Sequence, residues 1–591
     1  MDADPSLLTA PFRDARYAPR RLEIEHRPHG EMILRNPTPY STKFQSMAAA
    51  LSHWALKAPS RVWLAERSGD GWRTVTFGEA HEKVEAIAGA LTAMGVVRLE
   101  PLLILANNGI DHALIAYAAM SQRMPIAPVS PQYGLRNANP ARLARACEVL
   151  KPACVYTDDA ALFAEGLLQP GLAGLPVIAS KNPRPGDISF DQMLLGRREV
   201  ANARAIDPAK YLLTSGSTGH PKAVICTHGA ISLNSAQIDA CFNDPDPPVM
   251  VNSAPWSHSL GANSILHMSL HRGGTVYIDH GQPTAARFGE TARNLREISP
   301  TYQNMVPAGW MLFVDELEKD KKLAKRFFEK VRVLQYGGAA LGQATADRIQ
   351  AVAVRTVGQK ISFGSGYGAT ETGPTACNVH WHNDIMGLIG LPVPGTAVRL
   401  VPQAGKLDFR VKGPQITRGY LGLPQRSAQA FDDEGYYVLG DAASMVDPQD
   451  PAQGMVFDGR LSENFKLASG TFVGVGDLRI GAVGAIGGAV TDAVVCGEGQ
   501  ESVGLLLYPN PRLTLPEVAA AAQVGLTAFN AKARGSGGRV ARALVLPDAP
   551  DPVTGEITDK GYVAQALARQ QRATAIHRLF ADPPAIDVMV F

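Results

Sequence analysis

The chain has 591 residues, of which 46% are hydrophobic and 19% are charged, with a formal net charge of +2; these values are typical of a globular chain that can bury more than one core. The sequence contains no basic field, polybasic run or membrane-length apolar stretch, so we expect no nucleic-acid partner and no membrane span. The six cysteines form no Cys-x-x-Cys pair and the N-terminus lacks a signal-peptide pattern, which together indicate a cytoplasmic protein with free thiols.

The first half of the chain alternates between helical and strand periods. Residues 1–40 show no clear period and are predicted to form an irregular arm on the first domain. The elements predicted next are a helix at 46–57, a strand at 61–65 with a hairpin partner at 74–76, a helix at 77–94, a strand at 102–106, a helix at 111–121 and a strand at 125–129. The alternation continues through Val155, Val177 and Val224, and it predicts an α/β domain whose parallel or mixed sheet is wrapped by helices.

The second half of the chain changes character. Two strands are predicted at 273–277 and 331–336, and short strands with turns between 387 and 421 predict a smaller β-rich subdomain. A patch rich in Pro, Asp and Gly at 447–454 precedes a last segment of about 130 residues and is a candidate boundary. We therefore predict an N-terminal domain at 41–457 and a smaller α+β domain at 458–591.

A loop of small and hydroxyl side chains lies between two predicted strands, one ending at Leu213 and the other beginning at Ala223. Such a loop can turn backbone amides and hydroxyls toward one polyphosphate, and a lysine beyond it adds a positive charge. It is not a Walker A loop, because the lysine follows proline. A Ser/Gly linker is the alternative, although linkers rarely lie between two tight apolar runs. The predicted phosphate-binding residues are Thr214, Ser215, Gly216, Ser217, Thr218, Gly219 and Lys222.

Two further stretches carry polar groups suited to a nucleotide. Tyr367 precedes a glycine and can stack on a flat base, Thr370 offers a hydroxyl to a phosphate, and Glu371 offers the hard carboxylate oxygen that magnesium prefers. Asp441 ends a predicted strand in Gly-Asp, where its carboxylate can accept both hydroxyls of a ribose. Arg460 would supply a second ribose contact.

These stretches resemble the signatures of the adenylate-forming superfamily, which comprises acyl-CoA synthetases, adenylation domains of peptide synthetases and beetle luciferases. The loop resembles its phosphate-binding signature, residues 365–372 its Tyr-Gly-x-Thr-Glu motif, and residues 435–441 its Thr-Gly-Asp motif, with Leu439 in place of Thr. The resemblance covers about residues 45–580. It implies a large N-terminal AMP-binding domain, a smaller mobile C-terminal domain, and ATP, Mg²⁺ and coenzyme A as cofactors.

The resemblance also implies roles for other residues. Residues 336–341 resemble the loop that lines the adenine and the acyl pocket, which assigns Gly338 and Ala339 to the nucleotide and Tyr336 and Gly337 to the substrate. His258, in a segment that resembles the acyl-tunnel segment, is either a pocket residue or structural.

In the C-terminal domain the resemblance assigns Lys466 and Gly470 to a cofactor-binding loop and places the hinge at Ser462, where most members carry Asp or Lys. Lys560 is the candidate catalytic lysine, although its surrounding motif departs from the usual Ser-Gly-Lys.

The resemblance implies an ATP-dependent acid–CoA ligase that forms acyl-AMP and pyrophosphate before CoA thiol displaces AMP. It is closest to the bacterial feruloyl-CoA synthetases, so the expected carboxylate is a hydroxycinnamate such as ferulate. The alternatives are a fatty acyl-CoA synthetase, an enzyme that loads a carrier protein, a luciferase-like oxygenase and a non-catalytic nucleotide-binding protein.

Overall fold

The computed structural model describes residues 9–96, 99–136, 138–215, 221–338, 341–403, 405–461, 463–533, 535–551, 554, 556 and 563–591. The chain divides into two compact units. The first unit consists of Met1–Arg399, Arg410–Leu439 and Val446–Met455, and the second of Leu400–Phe409, Gly440–Met445 and Val456–Phe591.

A seven-stranded sheet forms one layer of the first unit. Its strands lie in the order Pro221–Thr227, Pro208–Ser215, Ile126–Pro128, Leu102–Ile104, Cys154–Asp159, Val177–Lys181 and Ile188–Ser189. Five of the pairings are parallel, and the pairing of Pro208–Ser215 with Pro221–Thr227 is antiparallel. The sheet is therefore mixed, and the α/β class predicted from the alternating pattern is confirmed.

Two further groups of strands complete the sheets of the first unit. Val249–Asn252, Thr275–Ile278, Val62–Ser68 and Gly71–Thr76 form a four-stranded sheet in that order. Tyr302–Met305, Val333–Tyr336 and Ser362–Tyr367 pair in parallel, followed by Cys377–Asn378 and Leu388–Pro392 in antiparallel pairing. The strands predicted near residues 397–411 are present as Ala397–Gln403 and Lys406–Lys412. These two strands and the later strands Tyr437–Met445 and Met455–Arg460 each have residues in both units.

Helices pack on these sheets through apolar faces that the sequence period predicts. The helix Phe77–Ala93 begins at a capping box in which Thr76 and Glu79 satisfy each other's backbone amides, and it buries Ala80, Val84, Ile87 and Leu91. The described helices of the first unit are Met47–Lys57, Phe77–Ala93, Ile110–Ser121, Pro140–Leu150, Ala164–Leu167, Phe190–Met193, His228–Asp239, the π-helical Leu260–His267, Met268–His271, Phe288–Glu297, Pro307–Lys319, Lys321–Phe328, Gln343–Val357 and Pro424–Gln429.

The sequence pattern predicts an irregular N-terminal arm, but part of the arm is regular. Glu23–His26 and Met32–Arg35 form an antiparallel hairpin. The first strand, Glu-Ile-Glu-His, has one apolar residue, and acid–base pairs such as Arg27–Glu25 and Arg399–Glu31 lie beside the hairpin. Such pairs leave no hydrophobic period in the sequence, which explains why the pattern did not reveal the hairpin.

The second unit contains a four-stranded sheet in the order Val490–Cys496, Val503–Pro509, Val540–Val545 and Val588–Val590, and a short hairpin of Phe465–Lys466 with Phe472–Val473. Its described helices are Val475–Ile486, Leu515–Asn530, Gln565–Gln571 and Ala573–Leu579. Strand Val503–Pro509 is buried along its whole length. Among the described residues of both units, no helix combines the length and apolar character needed to cross a membrane.

Candidate active site

The predicted polyphosphate loop connects the two strands of a β-hairpin. Thr214 lies directly opposite Lys222 in the register of Pro208–Ser215 and Pro221–Thr227. The Thr214 hydroxyl donates to the Lys222 carbonyl at 3.5 Å. Gly216, Ser217, Thr218 and Gly219 lie outside the described residues, so the hairpin brings Thr214 and Lys222 together at the ends of that segment.

Tyr420 links Lys222 to Glu371. The Lys222 ammonium lies 4.4 Å from the centre of the Tyr420 ring, a cation–π distance. The Tyr420 hydroxyl donates to Oε1 of Glu371 at 3.1 Å, and it lies 3.1 Å from the hydroxyl of Tyr437. Burial, followed by the neighbouring Glu371 charge, raises the pKa of Tyr420 to about 12, so this hydroxyl stays a donor at neutral pH.

Thr370 and Glu371 lie side by side in the short helical turn Thr370–Thr372. Both are buried, with 5% and 7% of their surface exposed. The Thr370 hydroxyl lies 3.2 Å from that of Ser259, and Glu371 forms no ion pair within the described part of the chain. A buried carboxylate surrounded by hydroxyls and lacking a cationic partner is suited to binding a hard cation.

Tyr367 ends the strand Ser362–Tyr367, three residues before Thr370. It is half-buried and lies opposite Cys377 in the antiparallel register. The backbone of the strand therefore places the aromatic residue and the Thr-Glu pair at one end of the same sheet.

The predicted pocket residues occupy two neighbouring segments. His258 is half-buried and precedes the π-helical segment Leu260–His267, a geometry that is frequent at functional sites. A Cβ atom built on Gly337 would lie 3.3 Å from Cδ1 of Leu260, so any side chain there would press on the leucine. Gly338 has a φ of +83°, which favours glycine. Ala339 lies outside the described residues.

The Tyr336 hydroxyl is committed to the protein. It accepts a hydrogen bond from the backbone amide of Gly387 at 2.9 Å, and the residue is 5% exposed. Burial raises the pKa of this phenol. The contact fixes the ring, and it leaves less of the hydroxyl for a substrate than the sequence suggested.

The second unit holds the residues predicted to contact ribose and coenzyme A. The Asp441 carboxylate lies 3.4 Å from Nε of Arg460, so the two predicted ribose contacts are neighbours. Lys466 is exposed in the hairpin that ends at Val473, and Gly470, with a φ of +80°, lies in the connecting turn. Lys560 and Ser462 lie outside the described residues.

Two matches to protein families identify the family of this chain. The AMP-binding enzyme family matches residues 51–421, and the AMP-binding enzyme C-terminal domain matches residues 482–583. The chain belongs to the AMP-binding enzyme family. It is an acid–thiol ligase that forms an acyl-adenylate, and the predictions of this family and this reaction class are confirmed.

Relatives of this AMP-binding enzyme act on different acids. A feruloyl-CoA synthase from an Amycolatopsis species is 24% identical over 409 residues, which are 67% of this chain and 76% of the relative. A fatty acid–acyl-carrier-protein ligase from Mycobacterium marinum is 27% identical over 407 residues, 64% and 72% of the two chains. The adenylation domain of a carboxylic acid reductase from Segniliparus rugosus superposes with a TM-score of 0.74 at 18% identity, covering 92% of this chain and 95% of the other.

Three residues of this AMP-binding enzyme's site were not identified from the sequence. Tyr420 binds Glu371, which lies 49 positions earlier in the sequence. Lys210 is buried and contacts Asn263, which in turn contacts Gly373. A lysine within the apolar run Ala-Lys-Tyr-Leu-Leu at 209–213 was the available signal, because a buried charge requires specific partners.

Proposed function

We propose that this ligase activates a flat aromatic acid of the hydroxycinnamate type, such as ferulate or coumarate, and transfers it to coenzyme A. The feruloyl-CoA synthase relative supports this choice. The pocket residues support it too: the glycine at position 337 lets the loop backbone lie close to Leu260, and the Tyr336 ring is held by the Gly387 amide. A fixed ring beside a glycine suits a planar substrate, and the half-buried His258 is the proposed partner of its phenol or methoxy group.

A fatty acid is the second candidate, and the fatty acid–acyl-carrier-protein ligase relative favours it. A glycine beside Leu260 also suits the start of an acyl tunnel. The two candidates differ at His258, because a polar group in the pocket discriminates against a substrate that cannot pair with it.

The buried Glu371 carboxylate is the observation that carries the adenylation chemistry. Its oxygens, the Thr370 hydroxyl and the phosphate groups of ATP are the hard donors that Mg²⁺ prefers, and magnesium is commonly bound by one or two carboxylates plus substrate phosphates. The residues therefore fit the ion. When bound, Mg²⁺ neutralises charge that develops on the phosphates.

The chain's own residues then orient the reactants. Lys222 and Thr214 bind the polyphosphate from the hairpin, while Thr370 donates its hydroxyl to a phosphate oxygen. Tyr367 covers the adenine, and Gly338 and Ala339 form part of the same binding surface. The carboxylate of the acid attacks the α-phosphorus, pyrophosphate leaves, and fixed donors stabilise the negative charge of the transition state.

The remaining assignments complete the proposal. Asp441 and Arg460 bind the ribose hydroxyls, Lys466 and Gly470 belong to the cofactor-binding loop, and Lys560 stabilises the transferring phosphate. Residues 41–457 and 458–591 are the proposed domains, with a hinge at Ser462. The six free, buried cysteines support a reducing, cytoplasmic location.

The test is product analysis with ferulate, ATP and Mg²⁺, with and without coenzyme A. Ferulate-dependent pyrophosphate release without CoA, followed by feruloyl-CoA and AMP when CoA is added, is the expected result. Transfer to a phosphopantetheinylated carrier protein but not to CoA would favour a carrier-loading enzyme. Absence of acid-dependent pyrophosphate release with every carboxylate would contradict the proposal.

A further inference from the structure

Lys210 is a lysine with almost no access to solvent, lying on the strand Pro208–Ser215 four residues before Thr214. Its exposed fraction is 1%. The Nζ atom lies 2.7 Å from Oδ1 of Asn263 and 2.7 Å from Nε2 of His267. No carboxylate forms an ion pair with it in the part of the chain that the structure describes.

The surroundings of Lys210 favour a neutral amine. Burial lowers its pKa to about 7. A neutral amine has two N–H donors, and the two acceptors at 2.7 Å match them. If Lys210 uses its second N–H on Nε2, the matching tautomer of His267 carries its proton on Nδ1, which lies 2.7 Å from the Tyr117 oxygen. The other titratable groups that act on this cluster are His112, Cys226 and His228.

Asn263 extends this contact to the turn that carries Thr370 and Glu371. Its Nδ2 atom donates to the carbonyl oxygen of Gly373 at 2.9 Å. Since Lys210 occupies Oδ1, the amide cannot rotate by 180° without placing its oxygen against that carbonyl. Lys210 thereby fixes the orientation of Asn263, and Asn263 holds the turn.

We propose that Lys210 is a positioning residue for acyl-AMP formation, acting through Asn263 on the turn Thr370–Gly373. The amine connects the strand that leads into the phosphate loop to the turn with the proposed metal carboxylate. The inference rests on the proposed function, because it requires Thr370 and Glu371 to serve adenylation. The contact from Lys210 through His267 to Tyr117 leads away from that turn and supplies an internal control.

The first experiment measures the two half-reactions of the full-length Lys210→Met enzyme at pH 8. Methionine fills a similar volume and removes both donors. We expect kcat for acyl-AMP formation to fall about 10-fold or more, since small displacements of reacting groups have effects of this size. Conversion of supplied acyl-AMP to the CoA thioester should stay near the wild-type rate.

Two further variants separate positioning from loss of structure. Asn263→Leu should reproduce the adenylation defect, and the double variant Lys210→Met/Asn263→Leu should be no worse than either single variant, because both changes interrupt one connection. Tyr117→Phe removes the hydroxyl at the end of the other connection and should leave both half-reactions unchanged.

The outcomes are distinguishable. An equal loss in both half-reactions, additive effects of Lys210→Met and Asn263→Leu, or wild-type adenylation by Lys210→Met would each overturn the positioning role. A wild-type enzyme that adenylates no carboxylate would instead contradict the proposed function.

Discussion

The Tyr420 hydroxyl donates to the Glu371 carboxylate at 3.1 Å while its ring lies 4.4 Å from the Lys222 ammonium. One tyrosine therefore contacts both the lysine that follows the predicted phosphate loop and the carboxylate of the second motif. Neither contact was evident from the sequence. Lys222 is more than a hundred positions from the other two residues, and Glu371 and Tyr420 lie in different elements. The arrangement gives Tyr420 a specific role in holding Glu371.

Tyr420→Phe should weaken the use of magnesium. A hydrogen bond to a charged group contributes about 1.5–3 kcal/mol, so we expect the Mg²⁺ concentration that gives half-maximal AMP formation to rise about 10-fold. Tyr436→Phe is the matched control, since its ring contacts Arg399 and Lys412 instead. An unchanged magnesium titration in Tyr420→Phe would remove this role.

Asp441→Asn should weaken ATP binding. The proposed ribose hydroxyls would lose a charged acceptor, and KM for ATP should rise about 10-fold or more with a smaller change in kcat. AMP-dependent product inhibition should weaken in parallel. Asp458→Asn is the control, because that carboxylate pairs with Lys406 at 2.6 Å; an equal rise of KM in both variants would argue against a ribose contact.

The buried Lys210 should make stability depend on pH. Its pKa falls from 10.5 in the unfolded chain to about 7 in the folded one. Between those values the unfolded chain binds more protons, so the free energy of unfolding rises with pH across this window. This shift in pKa corresponds to roughly 5 kcal/mol. The folded enzyme is therefore less stable by this amount below pH 7 than above pH 10.5.

Lys210→Met should lack this rise. Thermal unfolding midpoints measured from pH 6.5 to 10 should increase with pH in wild type relative to Lys210→Met. Lys360→Met, which loses a lysine paired with Asp384 at 2.9 Å, should keep the wild-type trend. Parallel curves for wild type and Lys210→Met would mean that the amine stays protonated in the folded enzyme.

Lys560→Ala should separate the half-reactions in the same direction as Lys210→Met but more strongly. Loss of a fixed charge donor should reduce acyl-AMP formation by about 10² or more, while thioester formation from supplied acyl-AMP continues. Stopped-flow release of pyrophosphate and of AMP distinguishes the two steps. Comparable losses in both steps would contradict the assignment.

The local sequence pattern predicted many of the helices and strands. It predicted less of the candidate site, because some of its residues are brought together only by tertiary contacts. The helix Phe77–Ala93 and the hairpin Val62–Ser68 with Gly71–Thr76 follow from period and turn residues. The order of strands in each sheet cannot be read from these local patterns, because it depends on how the chain connects one strand to the next across the sheet. Thr370, Glu371 and Asp441 were predicted from local motifs, whereas Lys210 acquires its partners from residues 263 and 267, which no period connects to it.

The proposed preference of the enzyme for a hydroxycinnamate is tested most directly by comparing kcat/KM for ferulate and laurate with ATP, Mg²⁺ and CoA present. We expect ferulate to exceed laurate by about 10² or more, the scale for a polar pocket that meets an unmatched substrate. His258→Leu should reduce that ratio. If laurate were converted to its CoA thioester as efficiently as ferulate, the assignment of an aromatic substrate would be wrong.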